Sequence, residues 1–298
     1  MRFLKRHHAL TLGMRYILLI GLSFVVIYPL VITAFISLMT SDDLYNSTVR
    51  FIAANPRLAN FSDAAFFLDY GNMLIKSFGW VLLLCVIETF VCMLVAYGFA
   101  RFNFPFKRVL FGCVLVTLLI PTYIYLVPLY MSFQSYGPFH WRFLQTPVPL
   151  LMFAFTGTGL KNGLFIYIFR QFFKGYPKEL EEAAFIDGAR SFRVFRSIML
   201  PGAMSIGVTC ALLDFVWKWT DTSYTDIFMS GDRFIWMNMA SLGTVMDASG
   251  NTSISMDYYY RAIIQNAALI LYLIPLLVLF MFARQFLVDS IETTGMVG

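Results

Sequence analysis

Two carboxylates stand where an apolar sequence makes them expensive. Glu88 lies in the middle of the run 74–100 and Asp214 in the middle of 202–219. An ionisable group at membrane depth usually faces a polar cavity or a partner on another helix. The first role is a path for a polar solute, with Phe215 and Trp217 as aromatic neighbours for stacking. The second is a hydrogen bond between helices. The stretch 156–163 is a third polar feature, with glycines at 157, 159 and 163 beside Lys161 and Asn162. It reads as a broken helix lining the same path, because irregular backbone at membrane depth needs protein or a water-filled cavity around it. It reads equally as a turn outside the bilayer. Covalent chemistry is not encoded. Neither a Ser/Lys pair nor a His/Glu/Asp cluster accompanies Glu88 or Asp214. His7, His8 and His140 lie outside the apolar runs and form no H-E-x-x-H pattern. No catalytic or metal-ligating residue is assigned.

The elements that hold these positions follow from composition. The 298 residues are 59% hydrophobic and 13% charged, with a net charge of +5; soluble domains carry roughly 25% charged residues. The chain is read as an all-α integral membrane protein with six transmembrane helices, at about 16–39, 74–100, 109–131, 149–169, 202–219 and 262–283. Residues 1–15 form an N-terminal segment, 16–283 one membrane domain and 284–298 a C-terminal tail. The first run continues too long, and without a small-residue cleavage site, for a cleaved signal peptide. The basic residues sit in short segments beside apolar runs, which speaks for orientation in a bilayer and not for nucleic acid. Most of them, including those at 2–15, 101–108, 170–196 and Arg284, fall on one side of this topology. That side is the cytoplasm, so both termini face it. Cys85, Cys92, Cys113 and Cys210 lie within apolar runs and read as small packing residues.

One polar segment, 176–201, interrupts the apolar pattern between spans four and five on the cytoplasmic side. Pro177 suits a first helical turn, and Glu179, Glu181 and Glu182 follow at the positive end of the helix dipole. Leu180, Ala183 and Ala184 recur at helical spacing and make an apolar stripe, with two alanines small enough for another surface to approach. Gly188 can take the left-handed conformation that ends a helix. Ser191 can cap a second helix, with Phe192, Phe195, Ile198 and Met199 as its apolar face and Pro201 at the entry to span five. The product is helix, glycine bend, helix: a docking elbow, or an amphipathic corner packed on its own membrane helices.

Glu182, Ala183, Ala184, Gly188, Ile198, Leu200 and Pro201 match the spacing E-A-A-x3-G-x9-I-x-L-P, and Pro177 to Ala189 match P-x-E-L-x-E-A-A-x-I-D-G-A. In this the chain resembles the inner-membrane permeases of ABC importers, in particular the carbohydrate branch of the maltose-transporter type. Ile120-Pro121, Pro128-Leu129, the run Arg170 to Phe173 and a tail ending at Gly298 are similar to the same branch. Gly202 to Ser205 and Trp217 to Asp221 depart from its usual residues.

The resemblance implies an EAA coupling helix that enters a cleft on a cytoplasmic ABC ATPase dimer. Leu180, Glu182, Ala183, Ala184, Asp187, Gly188, Ile198, Leu200 and Pro201 are its coupling residues, with Glu182 as the polar contact. It further implies a second, related permease chain and an extracytoplasmic solute-binding protein. Because this chain has no G-x-x-x-x-G-K-S/T stretch, ATP and Mg are expected on the partner ATPase and no cofactor on this chain, which is not itself an enzyme. The expected function is one permease subunit of an ATP-driven, binding-protein-dependent importer of a sugar or oligosaccharide in the bacterial inner membrane. Asp214, Trp217, Glu88, Lys161 and Asn162 are candidates for its substrate path. The alternative is an ion-coupled secondary transporter working without an ATPase, which predicts inverted repeats and paired intramembrane charges; neither is visible in the sequence.

Overall fold

Lipid offers the backbone no hydrogen-bond partner, so apolar runs of this length become helices. The computed structural model describes residues 2–138, 140–159, 161–229, 234–240, 242, 244–246, 252–254 and 257–295. Met1 of the N-terminal segment and Gly298 of the tail lie outside them, as does Arg233, a basic residue that the six-span topology puts on the side opposite the termini. In chain order the helices are α1 (Arg2–Ser37), α2 (Ser41–Tyr45), α3 (Ala59–Leu68), α4 (Tyr70–Arg101), α5 (Lys107–Leu119), α6 (Thr122–Gln134), α7 (Val148–Thr156) and α8 (Asn162–Gly175). They continue with α9 (Lys178–Ile186), α10 (Ser191–Val194), a π turn (Phe195–Met199), α11 (Leu200–Gly202), α12 (Met204–Thr220), α13 (Ser223–Phe228), α14 (Ile235–Ala240) and α15 (Tyr258–Gly295). A small antiparallel pair, β1 (Thr244–Met246) and β2 (Thr252–Ile254), sits between α14 and α15.

Three continuous segments, Leu12–Ser37, Tyr70–Arg101 and Tyr258–Phe286, are long and apolar enough to cross a membrane. Two more candidates are bent, by 105° between α5 and α6 and by 76° between α11 and α12. The structure therefore gives three to five candidate spans among the described residues, where six continuous ones are expected from sequence. Each departure has a local cause. Pro121 lacks an N–H and pushes Ile120 into extended backbone (φ −79°, ψ 118°), which ends α5. Pro201 likewise removes a helical donor where the chain passes from the π turn to α12. The expected fourth span is two short helices, α7 and α8. Between them Gly157 and Lys161 take left-handed φ values of 66° and 63°.

The chain divides into two compact units. One comprises residues 1–71 and 238–274. Its core joins Ala64 and Leu68 of α3 to Leu242 and to Ile264, Ala267 and Ala268 of α15. The buried Asn60 amide donates to the carbonyls of Ser37 and Met39, 2.9 Å each, and so satisfies acceptors at the end of α1. Thr40 and Asp43 form a capping box for α2.

The second unit comprises residues 72–237 and 275–298. Its core is aromatic: Phe165, Phe169 and Phe173 of α8 pack with Tyr97 of α4, Phe195 of the π turn and Cys210 of α12. The buried cysteines 85, 92 and 210 are free thiols that fill gaps. Helices α5 and α8 touch closely because position 163 carries no side chain. A Cβ there would lie 2.6 Å from Thr117 Oγ1 and 2.8 Å from the Val114 carbonyl. Gly163→Ala is therefore expected to destabilise the unit by about 1–3 kcal/mol, since backbone must move to admit the methyl. An unchanged midpoint in thermal unfolding of the detergent-purified protein contradicts this packing.

Candidate coupling elbow and solute path

The elbow is built from the end of α8 to the start of α12. Helix α9 begins after Pro177, which serves as its N-cap residue and precedes the first turn. Glu179 and Glu181 occupy that turn, where carboxylates suit the dipole. Glu181 is turned inward and buried. It forms an ion pair with Arg101, the last residue of α4. The Tyr97 hydroxyl donates to Glu181 Oε2 at 3.3 Å, and Arg101 Nη2 donates to the Tyr176 carbonyl at 2.7 Å. Arg101 thus binds α9 and the strap that leads into it.

Positions one helical turn apart share a face. Ala184 lies three residues beyond Glu181 and also faces inward, packing on the aromatic core beside Ala189, Ile198 and Leu200. The stripe read from sequence as Leu180, Ala183 and Ala184 is therefore split between two faces. Leu180, Glu182 and Ala183 are exposed, as are Asp187, Gly188 and Pro201. Phe185 and Ile186 add apolar surface to the outward side, Ile186 being 85% exposed.

Helix α9 ends with Gly188 at φ 78°. The amide of Gly188 donates to the Phe185 carbonyl at 3.0 Å, and that of Ala189 to the Ala184 carbonyl at 2.9 Å. Left-handed backbone closes these bonds and is open to glycine without penalty. The second helix starts at Ser191 with Arg190 as its N-cap and no side-chain cap bond. Ser191 is thus not the cap that its residue type suggests.

In the membrane-depth region, Glu88 and Asp214 come together through a residue that the sequence reading left near a span end. Lys218 Nζ lies 2.5 Å from Glu88 Oε2 and 2.5 Å from Asp214 Oδ1. Both carboxylates are buried, Asp214 completely. The Asp214–Lys218 half follows from their i,i+4 spacing. Gly159 packs directly on the Glu88 carboxylate, where a Cβ would collide with it. A cavity of about 40 Å³, on the scale of one to three water molecules, is lined by Trp80, Glu88, Gly159, Lys218, Asp221 and Tyr224. Asp221, just past α12, accepts from the amides of Ser223 and Tyr224. Burial nevertheless pushes its carboxyl up to about 6. Trp217 points elsewhere: it packs into the aromatic core, 5.6 Å from the Phe165 ring centre.

A larger cavity of about 700 Å³ lies between the α5–α6 bend and the α7–α8 break. Thr117, Thr122, Tyr125, Thr158, Lys161 and Asn162 supply its polar lining. Lys161 is exposed, whereas the Asn162 side chain is buried. Among the described residues no group of three or more His, Cys, Asp or Glu side chains is placed to hold a metal ion.

Residues 88–293 match the family described as binding-protein-dependent transport system inner membrane component. That stretch contains Glu88, the elbow and α12. The chain belongs to this family of transport permeases. It is 27% identical over 240 residues to the alpha-glucoside transport system permease protein AglG of Rhizobium meliloti, covering 79% of this chain and 60% of AglG. It is 25% identical over 276 residues to the sn-glycerol-3-phosphate transport system permease protein UgpE of Agrobacterium fabrum, covering 90% and 92% of the two chains. Its fold matches a chain of a bacterial ABC transporter that imports the acidic polysaccharide alginate. There the TM-score is 0.69 and the identity 14%, over 92% of this chain and 95% of that one. The permease is a multi-pass membrane protein. The alternative of a lone ion-coupled carrier finds no support in these relationships.

Removing the shared cation isolates two buried carboxylates. Lys218→Met is expected to destabilise the permease by about 3–5 kcal/mol, the scale of a buried pair broken on one side. The combination Lys218→Met, Glu88→Gln, Asp214→Asn leaves no charge behind and is expected to recover most of that loss. Thermal unfolding of both variants checks the assignment, and equal destabilisation of the two contradicts it.

Proposed function

We propose that this permease is one half of the membrane channel of an ATP-driven, binding-protein-dependent importer for a sugar or oligosaccharide. The observation that carries the reading is the elbow. Helix α9 offers Leu180, Ala183, Phe185 and Ile186 outward beside Glu182, while Glu181 and Ala184 anchor it inward. A short helix with an apolar outer face and a fixed inner face suits insertion into a cleft on a cytoplasmic ATPase. ATP and Mg belong on that ATPase, and this chain needs no cofactor. The second permease is a related chain, and a solute-binding protein delivers substrate from outside. The permease sits in the bacterial inner membrane with both termini and the elbow in the cytoplasm, consistent with the distribution of basic residues.

Closure of the ATPase pair would rock the elbow as a rigid lever. Two links lead from it into the membrane. One is covalent, through Ile198, Leu200 and Pro201 to α12, which carries Asp214 and Lys218. The other is the Arg101–Glu181 pair to α4, which carries Glu88. Both end at the Glu88–Lys218–Asp214 cluster, against the loop of Gly159, Lys161 and Asn162 that borders the larger cavity. In this reading Lys161 and Asn162 line the substrate path. Glu88 and Asp214 brace it, and Trp217 packs behind it.

Two experiments test the proposal. Tagged permease purified from its native membrane in mild detergent should bring down an ATPase with a phosphate-binding loop, a second permease and a solute-binding protein. Reproducible recovery of this chain alone, still active in transport, would discard the importer. In the second, Gly188→Val strains a φ of 78° with a β-branched residue. Uptake and substrate-stimulated ATPase are expected to fall together in that variant, with the complex still assembled; undiminished uptake sinks the role of the bend.

A further inference from the structure

The character of the larger cavity bears on what it admits. At about 700 Å³ it falls within the usual range of small-molecule sites, roughly 300–1,000 Å³. Among the described residues that line it, Lys161 is the single charged side chain. Its backbone is held in left-handed geometry at the α7–α8 break, an uncommon conformation for a non-glycine residue. The buried acids nearest the loop, Glu88 and Asp214, already share Lys218. Among the described residues no ion pair joins Lys161 to a carboxylate.

One further feature has the same sign. The 14-residue helix α8 begins at Asn162, so its positive dipole end meets this cavity. The Asn162 side chain, 2% exposed, is turned toward the Glu88 carboxylate. Hydroxyls supply the rest. Tyr125 accepts from Tyr224, which leaves its own O–H to donate inward. Thr117 donates to the Val114 carbonyl, which leaves its oxygen as an acceptor.

We propose that this cavity receives a hydroxylated solute bearing a carboxylate or phosphate, with Lys161 as the specificity-determining cation and the α8 N-terminus completing the anion site. The inference rests on the reading of this cavity as substrate path and narrows the substrate from carbohydrates in general to anionic ones. The Lys218 cluster does not compete for the anion, since two carboxylates already surround that ammonium.

The test uses the complete importer, with its ATPase, second permease and binding protein, in proteoliposomes. ATP-dependent uptake is measured for trigalacturonate, glucose 6-phosphate and sn-glycerol 3-phosphate, with maltotriose and trehalose as neutral probes. Uptake of at least one acidic probe is expected, and the carboxylate and phosphate arms show which anion is preferred. Lys161→Gln should lower that uptake at subsaturating concentration by roughly tenfold or more, the scale of one lost charge-assisted hydrogen bond. Lys161→Arg should restore most of it. Co-purification of Lys161→Gln with the ATPase shows that the variant has folded and assembled. Uptake of neutral probes only, or of none, overturns the inference, as does acidic uptake that Lys161→Gln leaves unchanged. ATP-dependent uptake confined to neutral sugars would leave the importer itself standing.

Discussion

A membrane interior gives no hydrogen bond to a broken helix and no water to a bare charge, and this permease is organised around where it breaks both rules. Its helices are interrupted at Pro121, between Gly157 and Lys161, and near Pro201. Charges are buried at Glu88, Asp214 and Lys218. The central break and the buried charges are neighbours: Gly159 lies on the Glu88 carboxylate, and Asn162 opens the next helix beside it. The central break packs on the Glu88 carboxylate and, with the α5–α6 bend, borders the larger cavity, which is the condition under which irregular backbone is tolerated.

Helix α4 ties the parts of its unit together. Midway it supplies Glu88 to the charge cluster, and at its end it supplies Arg101 to the elbow. Between them Cys92, Ala96 and Tyr97 pack on the aromatic core with Phe165, Phe169 and Phe195. A densely packed helix moves as a body. In the proposed importer, a displacement of α9 would have this packed route to the Glu88 cluster as well as the chain itself.

Neither buried ion pair is an argument for net stability, because desolvation offsets much of the attraction. What each provides is geometry. Arg101 has its ion pair with Glu181 and a hydrogen bond to the Tyr176 carbonyl, so α9 has one seat. Lys218 has a carboxylate on each of two helices, which fixes the register of α4 against α12. Apolar surfaces alone resist sliding poorly, whereas a displaced buried charge loses its partner.

Much of this was legible in the sequence. The length of the apolar runs required helices. The glycine-rich stretch at 156–163 marked one break, because glycine acts on the backbone locally; the bends at Pro121 and near Pro201 carry the same kind of local signal, which a continuous third span and a simple entry to the fifth passed over. The bend of the elbow was readable for the same reason, since the start at Pro177 and the turn at Gly188 depend on near neighbours, whereas the single apolar stripe and the Ser191 cap did not hold. Even the Asp214–Lys218 contact is a one-turn spacing. The continuity of the spans was over-read, because hydropathy measures how apolar a segment is and not whether it is straight. Only the tertiary structure decided which glutamate of the elbow turns inward, which cation Glu88 finds, and that Trp217 faces the core while Lys161 faces a cavity. Those choices depend on which faces of distant helices meet, and helical periodicity defines a face without naming what it packs against.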